Sequence, residues 1–191
     1  RGEDTDNTEG LTVNAYRNEY VTAVGQKSKE GADNLGRGLT AAVLHGDELP
    51  YIPNIHISLP VALSAGNAAR ENAAAAGGFY GNIFTTTAGK RDTKEGKFAY
   101  NLIHDGYYWN ECLYDQPNHA ALIQYILDNS NSEAPMINGT FSHRQLGRTD
   151  EWLFEAISNS RSGEDLANRD YFNMWTSGTE SSPLSIALNK A

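Results

Sequence analysis

Apolar positions fall into short patches along the chain, and each patch has its own period. Residues 11–25 alternate loosely and hold Val13, Tyr16, Tyr20, Val21 and Val24, which predicts a strand or hairpin. Residues 27–34 are polar and suit a short helix. Residues 39–44 form a compact run of Ala, Val and Leu between Gly38 and Gly46, the pattern of a buried parallel strand. Pro50, Pro53 and Pro60 punctuate the next segment as a loop. The Ala-rich stretch 61–76 predicts a helix stopped at Gly77-Gly78. Residues 80–87 are aromatic and β-branched and predict a second strand. Beyond them, 93–108 fits a helix, and 118–127 sets Ala121, Leu122, Ile126 and Leu127 at near-helical spacing. A short strand suits 137–141, a helix opening on an acid suits 150–157, and another helix suits 166–175.

Strand, helix, strand, helix predicts an α/β fold on a parallel sheet. In such sheets ligands gather beyond the carboxyl ends of the strands, so the residues after Leu44 and around Thr87 are the first place to look for chemistry. Composition adds three constraints. A length of 191 residues with 39% apolar content is enough for one domain with a core. The formal net charge of -9, without a dense Lys/Arg cluster, argues against this segment as the main grip on nucleic acid, because phosphate neutralisation supplies most non-specific affinity. The single cysteine, Cys112, cannot form an internal disulfide; it is expected to be a buried thiol in a cytosolic setting. No apolar run is long enough to cross a bilayer and no signal peptide opens the chain. Residues 1–10 are charged and polar and lack an initiator Met, so they read as a frayed or truncated start.

Three constellations carry candidate chemistry. In Ala41-Ala42-Val43-Leu44-His45-Gly46-Asp47-Glu48, an apolar strand runs into two adjacent acids. This is the Walker B arrangement, in which the Asp serves a nucleotide-bound Mg²⁺ and the Glu polarises the attacking water. Neighbouring side chains on a strand end point in different directions, so the two acids can do different work; a solvated turn after a strand gives the same pattern. In Ile83-Phe84-Thr85-Thr86-Thr87-Ala88-Gly89, a strand ends in hydroxyls that could read a phosphate or water, although threonines are also ordinary strand residues. In Asn34-Leu35-Gly36-Arg37-Gly38-Leu39-Thr40, two glycines flank an arginine, which suits phosphate recognition or an exposed basic turn. His56, His104, His119 and His143 show no metal-ligand spacing with Cys112. Asn138-Gly139-Thr140 matches a glycosylation acceptor, a common tripeptide. Tyr107, Tyr108, Trp109 and Tyr114 could stack on bases or simply pack.

The order of these blocks resembles the large terminase subunits of tailed bacteriophages. The likeness continues through Gly96-Lys97-Phe98-Ala99-Tyr100, Phe141-Ser142-His143-Arg144-Gln145-Leu146-Gly147, Asp150-Glu151-Trp152 and Asn173-Met174-Trp175, and spans about residues 11–191. The resemblance implies an α/β, parallel-sheet P-loop NTPase core of the ASCE type, partial, over 11–146, with Walker B and a coupling motif. It implies a small helical subdomain at 147–176, and at 177–191 a linker toward a nuclease domain not contained in this chain. The implied activity is ATP hydrolysis driving double-stranded DNA into procapsids, with ATP and Mg²⁺ as cofactors. Asp47 would be the metal residue, Glu48 the catalytic base and Arg37 a trans-acting arginine finger, with Thr85, Thr86 and Thr87 the coupling motif at the nucleotide. The implied partners are a portal protein, a small terminase subunit and further copies of the subunit in a ring, with no membrane, in the cytoplasm of the infected bacterial host. Two features depart from the family: no Gly-rich loop ends in Gly-Lys-Ser/Thr, and His45-Gly46 stands where apolar or aromatic residues usually precede the acids. The phosphate-binding loop would then lie upstream of Arg1, and this chain alone is expected to hydrolyse ATP poorly or not at all. A secreted carbohydrate-active protein is the alternative on composition, with Asp47 and Glu48 as glycosidase carboxylates; adjacent acids, however, cannot flank a sugar from opposing sides. A catalytically inactive terminase-like remnant is the third reading.

Overall fold

A computed structural model describes residues 6–7, 10–13, 18–35, 37, 41–161 and 163–177. Most of the expected frayed start, Tyr16, Gly36, Gly38, Leu39, Thr40 and the part of the expected linker from 178 onward lie outside the described residues. The fold is mixed α/β with small sheets, and the chain divides into two compact units.

The first unit comprises the described residues of Arg1–Leu44 and Pro53–Gly81. The alternation predicted near its start forms an antiparallel sheet of β1 (Asp6–Asn7), β2 (Gly10–Val13) and β3 (Asn18–Val21), with Leu11 opposite Tyr20 and Gly10 opposite Val21. Gly10 is required there, because a Cβ would stand 2.5 Å from the Tyr20 carbonyl oxygen. Helix α1 (Lys29–Asn34) starts at Ser28, whose hydroxyl accepts from the Gly31 N–H at 3.0 Å. It packs on α2 (Ile55–Ala65), and Ala32, Ile55 and Leu59 are buried. The Asn54 amide donates to the Gln26 and Lys27 carbonyls, joining the start of α2 to the approach of α1.

The expectation that Pro60 lies in a loop before a single helix over 61–76 is corrected here. Pro60 is inside α2, and α3 (Asn67–Ala75) follows as a separate helix after Gly66. Proline removes one helix hydrogen bond but does not forbid helical φ, and the apolar stripe of Ile55 and Leu59 extends the helix upstream of it. At Gly66 a Cβ would lie 2.5 Å from Arg70 Nη1 and 3.0 Å from the Ala41 carbonyl oxygen, so a side chain at the break would press on both. As expected, the helical region ends at Gly77, which takes φ +68°.

The second unit comprises His45–Ile52 and the described residues of Asn82–Ala191. Strand β4 is Val43–Asp47 and β5 is Gly81–Thr85. They pair and run in the same direction: the Gly81 N–H donates to the Ala42 carbonyl at one end, and the Glu48 N–H to the Thr85 carbonyl at the other. Of the apolar run, Leu39 and Thr40 lie outside the described residues, Ala41 and Ala42 precede the strand, and the strand continues through the first acid. The single turn Leu49–Tyr51 then packs against α4 (Lys94–Asp105), with Leu49 and Ala99 fully buried. Thr93 caps α4 by accepting from the Gly96 N–H at 2.9 Å, and a Cβ on Gly96 would fall 1.9 Å from the Lys90 carbonyl oxygen.

Next come β6 (Tyr107–Tyr108), α5 (His119–Asp128) and β7 (Ile137–Asn138), with β6 and β7 paired in parallel. Helices α6 (Asp150–Ser160) and α7 (Glu164–Phe172) pack on each other. The cap of α6 is Thr149, which accepts from the Trp152 N–H at 3.2 Å, and Asp150 and Glu151 fill its first turn. After α7, Thr176 forms a parallel bridge with Lys90: its carbonyl accepts from the Arg91 N–H at 2.7 Å and its N–H donates to the Gly89 carbonyl at 3.2 Å. Cys112, expected to be buried, is exposed on the short turn Glu111–Asp115, where Leu113 takes the buried position instead. No helix among the described residues is long and apolar enough to cross a membrane.

Candidate functional site

The acids after β4 are set by backbone geometry. Asp47 closes the strand, and Glu48 turns the chain in the left-handed region at φ 54°. That conformation costs a residue with a Cβ about 1–2 kcal/mol. It is held by the Glu48 N–H on the Thr85 carbonyl at 2.7 Å, by the Tyr51 N–H on the Glu48 carbonyl at 2.9 Å, and by the burial of Leu49. Gly46 allows the close approach of β5, since a Cβ there would meet Phe84 Cδ1 at 3.1 Å and Leu49 Cδ2 at 3.0 Å.

Two hydroxyl–carboxylate pairs form across the strand ends. Thr85 Oγ1 donates to Asp47 Oδ1 at 2.6 Å, and Thr87 Oγ1 donates to Glu48 Oε2 at 3.2 Å. His45 Nε2 lies 2.9 Å from the same Thr85 oxygen. A hydroxyl has one proton; with that proton on Asp47, His45 Nε2 must be the donor, giving a chain from imidazole to hydroxyl to carboxylate. The structure therefore brings together Asp47, Glu48, Thr85 and Thr87. It does not bring Thr86 to the acids, for its hydroxyl donates to the Thr87 carbonyl at 2.7 Å. Asp47 is exposed and Glu48 half-buried.

Arg37 belongs to the first unit, where it is exposed and paired with Asp33, Nη2 to Oδ2 at 2.6 Å and Nε to the carbonyl at 3.1 Å. It borders a hollow of about 430 Å³ with Pro60, Val61, Ser64 and Ala65. The flanking Gly36 and Gly38 lie outside the described residues.

A cavity of about 810 Å³ opens within the second unit beside the threonines. Residues 84–87 and 136–141 line it consecutively. Phe84 and Thr85 of β5 and Ile137 and Asn138 of β7 belong to this lining, and the remaining residues of both stretches are loop. Among the described residues β5 pairs only with β4, and β7 only with β6. Asn138 is buried on this wall; its amide donates to the Ile103 carbonyl at 3.2 Å and its oxygen accepts from Thr140 Oγ1 at 2.8 Å, so the glycosylation-like tripeptide is structural here. Of the aromatic cluster, Tyr107 is bonded to the Tyr125 hydroxyl at 3.1 Å, whereas Tyr108, Trp109 and Tyr114 keep substantial exposure.

Three residues of this region were given no role by the sequence, although His45 stands in the strand block before the acids and Tyr51 in the Pro50-Tyr51-Ile52 block that follows them. His45 could have been found, because residues two apart on a strand share a face and His45 stands two before Asp47. Tyr51 and Arg169 could not. The Tyr51 hydroxyl donates to the Ala88 carbonyl at 2.8 Å and receives Arg169 Nη1 at 3.0 Å across 118 residues of chain. Burial works against the charge on Arg169, but Tyr51 and Asp165 outweigh it and hold the guanidinium above its ordinary value.

The donors near the acids are a carboxylate and hydroxyls, all oxygen, which suits a hard cation. Among the described residues no group of three or more His, Cys, Asp or Glu forms a cage. Carboxylate and hydroxyl oxygens of this kind suit a cation that keeps its waters better than an all-protein metal site. No protein-family model matches the chain, and neither a curated protein nor a solved structure shows significant similarity to it.

Proposed function

We propose that this chain is part of the ATP-driven motor that moves double-stranded DNA into viral procapsids, the ATPase segment of a terminase large subunit. The observation that carries the reading is the double pairing at one strand rim, Thr85 with Asp47 and Thr87 with Glu48. Two adjacent strands ending in acids and hydroxyls, in contact, are what a nucleotide-hydrolysing rim of a P-loop fold requires.

In this reading Asp47, steadied by Thr85 and His45, holds the cation's water shell. A Mg²⁺ held there would supply charge neutralisation for the phosphates of the nucleotide. Glu48 orients and deprotonates the attacking water, and the two carboxylates have different hydroxyl partners, Thr87 for Glu48 and Thr85 for Asp47, so that they do not share one task. Thr87, bonded to Glu48, senses whether that carboxylate is engaged; Thr86 acts at most through the backbone of Thr87. Arg37 reaches the nucleotide of a neighbouring subunit in a ring, for which it must leave Asp33. Portal protein, small terminase subunit and DNA are the partners that go with this activity.

The test is ATP turnover by the protein that carries this chain. Glu48→Gln keeps the shape of the side chain and removes the base, so turnover falls about 100-fold or more. Turnover equal to the parent's removes Glu48 from the mechanism and the reading with it.

A further inference from the structure

Helix α7 reaches the rim through a polar network built from the side chains of Asp165, Arg169 and Tyr51. Arg169 and Asp165 are one turn apart on α7, with Nη2 3.1 Å from Oδ2, and their side chains are only 11% and 18% exposed. Lys90 Nζ stands 3.8 Å from the same Asp165 oxygen. Arg169 Nη1 donates to the Tyr51 hydroxyl, which donates to the Ala88 carbonyl. Arg169 Nε is buried without a hydrogen-bond partner among the described residues, so the guanidinium is held at its two terminal nitrogens.

The chemistry of this chain of bonds has one direction. A guanidinium donates and never accepts. The Tyr51 oxygen must therefore accept from Arg169, which leaves its single proton for Ala88. Tyr51 lies three residues after Glu48 and is bonded to it through the backbone; Ala88 follows Thr87 directly. The Tyr51–Ala88 bond is thus a second rung beside the Glu48–Thr87 rung, between the same two stretches of chain. Gly89 tightens the junction, since a Cβ there would lie 2.5 Å from Pro50 Cβ and 3.2 Å from Trp175.

We infer that Arg169 is a positioning residue for the acid-and-hydroxyl rim, acting by fixing the Tyr51 hydroxyl as a donor to Ala88 and so holding Glu48 and Thr87 in register. The inference rests on the ATPase reading for its catalytic consequence, and on the geometry alone for its structural one. Arg169 touches no reacting atom in it. Its removal should lower kcat without weakening nucleotide binding.

The experiment has two arms. In the protein that carries this chain, Arg169→Met and Tyr51→Phe each lower kcat for ATP about tenfold with KM within about twofold, since small misplacements of a catalytic group cost rate first. The double variant is no slower than the worse single one, because both break one path. Arg169→Lys, still a donor that cannot accept, recovers most of the rate; Arg169→Gln, which can accept, does not. In the second arm, amide hydrogen exchange on the same proteins speeds up at 45–52 and 82–89 in Arg169→Met and Tyr51→Phe and returns in Arg169→Lys. Parent-like kcat and exchange in Arg169→Met overturn the inference, as does additive loss in the double variant. If the parent shows no turnover that depends on Glu48, the ATPase reading fails while the exchange arm still decides Arg169. If Arg169→Met does not fold, Tyr51→Phe, which loses one oxygen, carries both arms.

Discussion

Asp150 shows how a single carboxylate can organise a loop. It accepts from Arg144, through Nε at 2.8 Å and a second bond from Nη2, and from His143 Nε2 at 2.8 Å. The Arg144 hydrogen bond first, then the His143 one, hold its carboxyl well below the usual carboxylate range. A depressed folded-state pKa means that the stabilisation is present above the unfolded value, about 3.9, and is lost as pH falls through the folded one. Asp150→Asn therefore lowers the thermal midpoint at pH 7, and the gap to the parent narrows as the pH is taken below about 4. Melting curves at a series of pH values check this; a gap independent of pH would show that the two donors do not act through the carboxylate's charge. The residue scale is also where the sequence said most about chemistry. Asp47, Glu48, Thr85 and Thr87 were marked by their place at strand ends, and they lie within hydrogen-bonding distance in the two pairs described above. Thr86 and the buried expectation for Cys112 were not separable from their neighbours by type alone, because the direction of a side chain on an irregular strand end is fixed by the partner it finds.

At the scale of elements, helices were legible where a cap and an apolar stripe coincide. The region 93–108 contains α4 with its Thr93 cap, and 150–157 lies inside α6 with its Thr149 cap. Proline misled the reading at 50–60, since its missing N–H argues for a loop while its φ is compatible with helix. Pro60 sits on an exposed face of α2, where the backbone lacks one hydrogen bond. Pro60→Ala restores it and stabilises the first unit by about 1–3 kcal/mol, observable as a raised denaturant midpoint at unchanged slope; a lowered midpoint would mean that the ring's packing outweighs the bond. The strands were harder to read. β6 and β7 have two residues each and too few positions to show a period, and their partnership joins residues about thirty apart in sequence. The Arg169 network is less legible still, because nothing local marks Tyr51 or Asp165 as its members.

At the scale of the whole molecule, charge sets the expectation about DNA. The formal charge of -9 argues against counterion release from a duplex as a strong source of affinity for this segment. This chain by itself is expected to bind double-stranded DNA more weakly than about 1 μM at physiological salt, at the loose end of non-specific binding; fluorescence anisotropy with a labelled duplex measures it, and tighter binding would show that a few local cations suffice. Composition could exclude a strong grip but could not reveal which parts of the chain are tied together. The bridge between Thr176 and Lys90 is such a tie, with its two bonds to Gly89 and Arg91. In a parallel bridge those bonds lie across the direction of the chain, so a tug on the backbone past Thr176 loads them in shear. Such a load would divide between α7 and the loop 86–89 that follows β5, so that Thr86 and Thr87 lie on the one path that bypasses the helix packing.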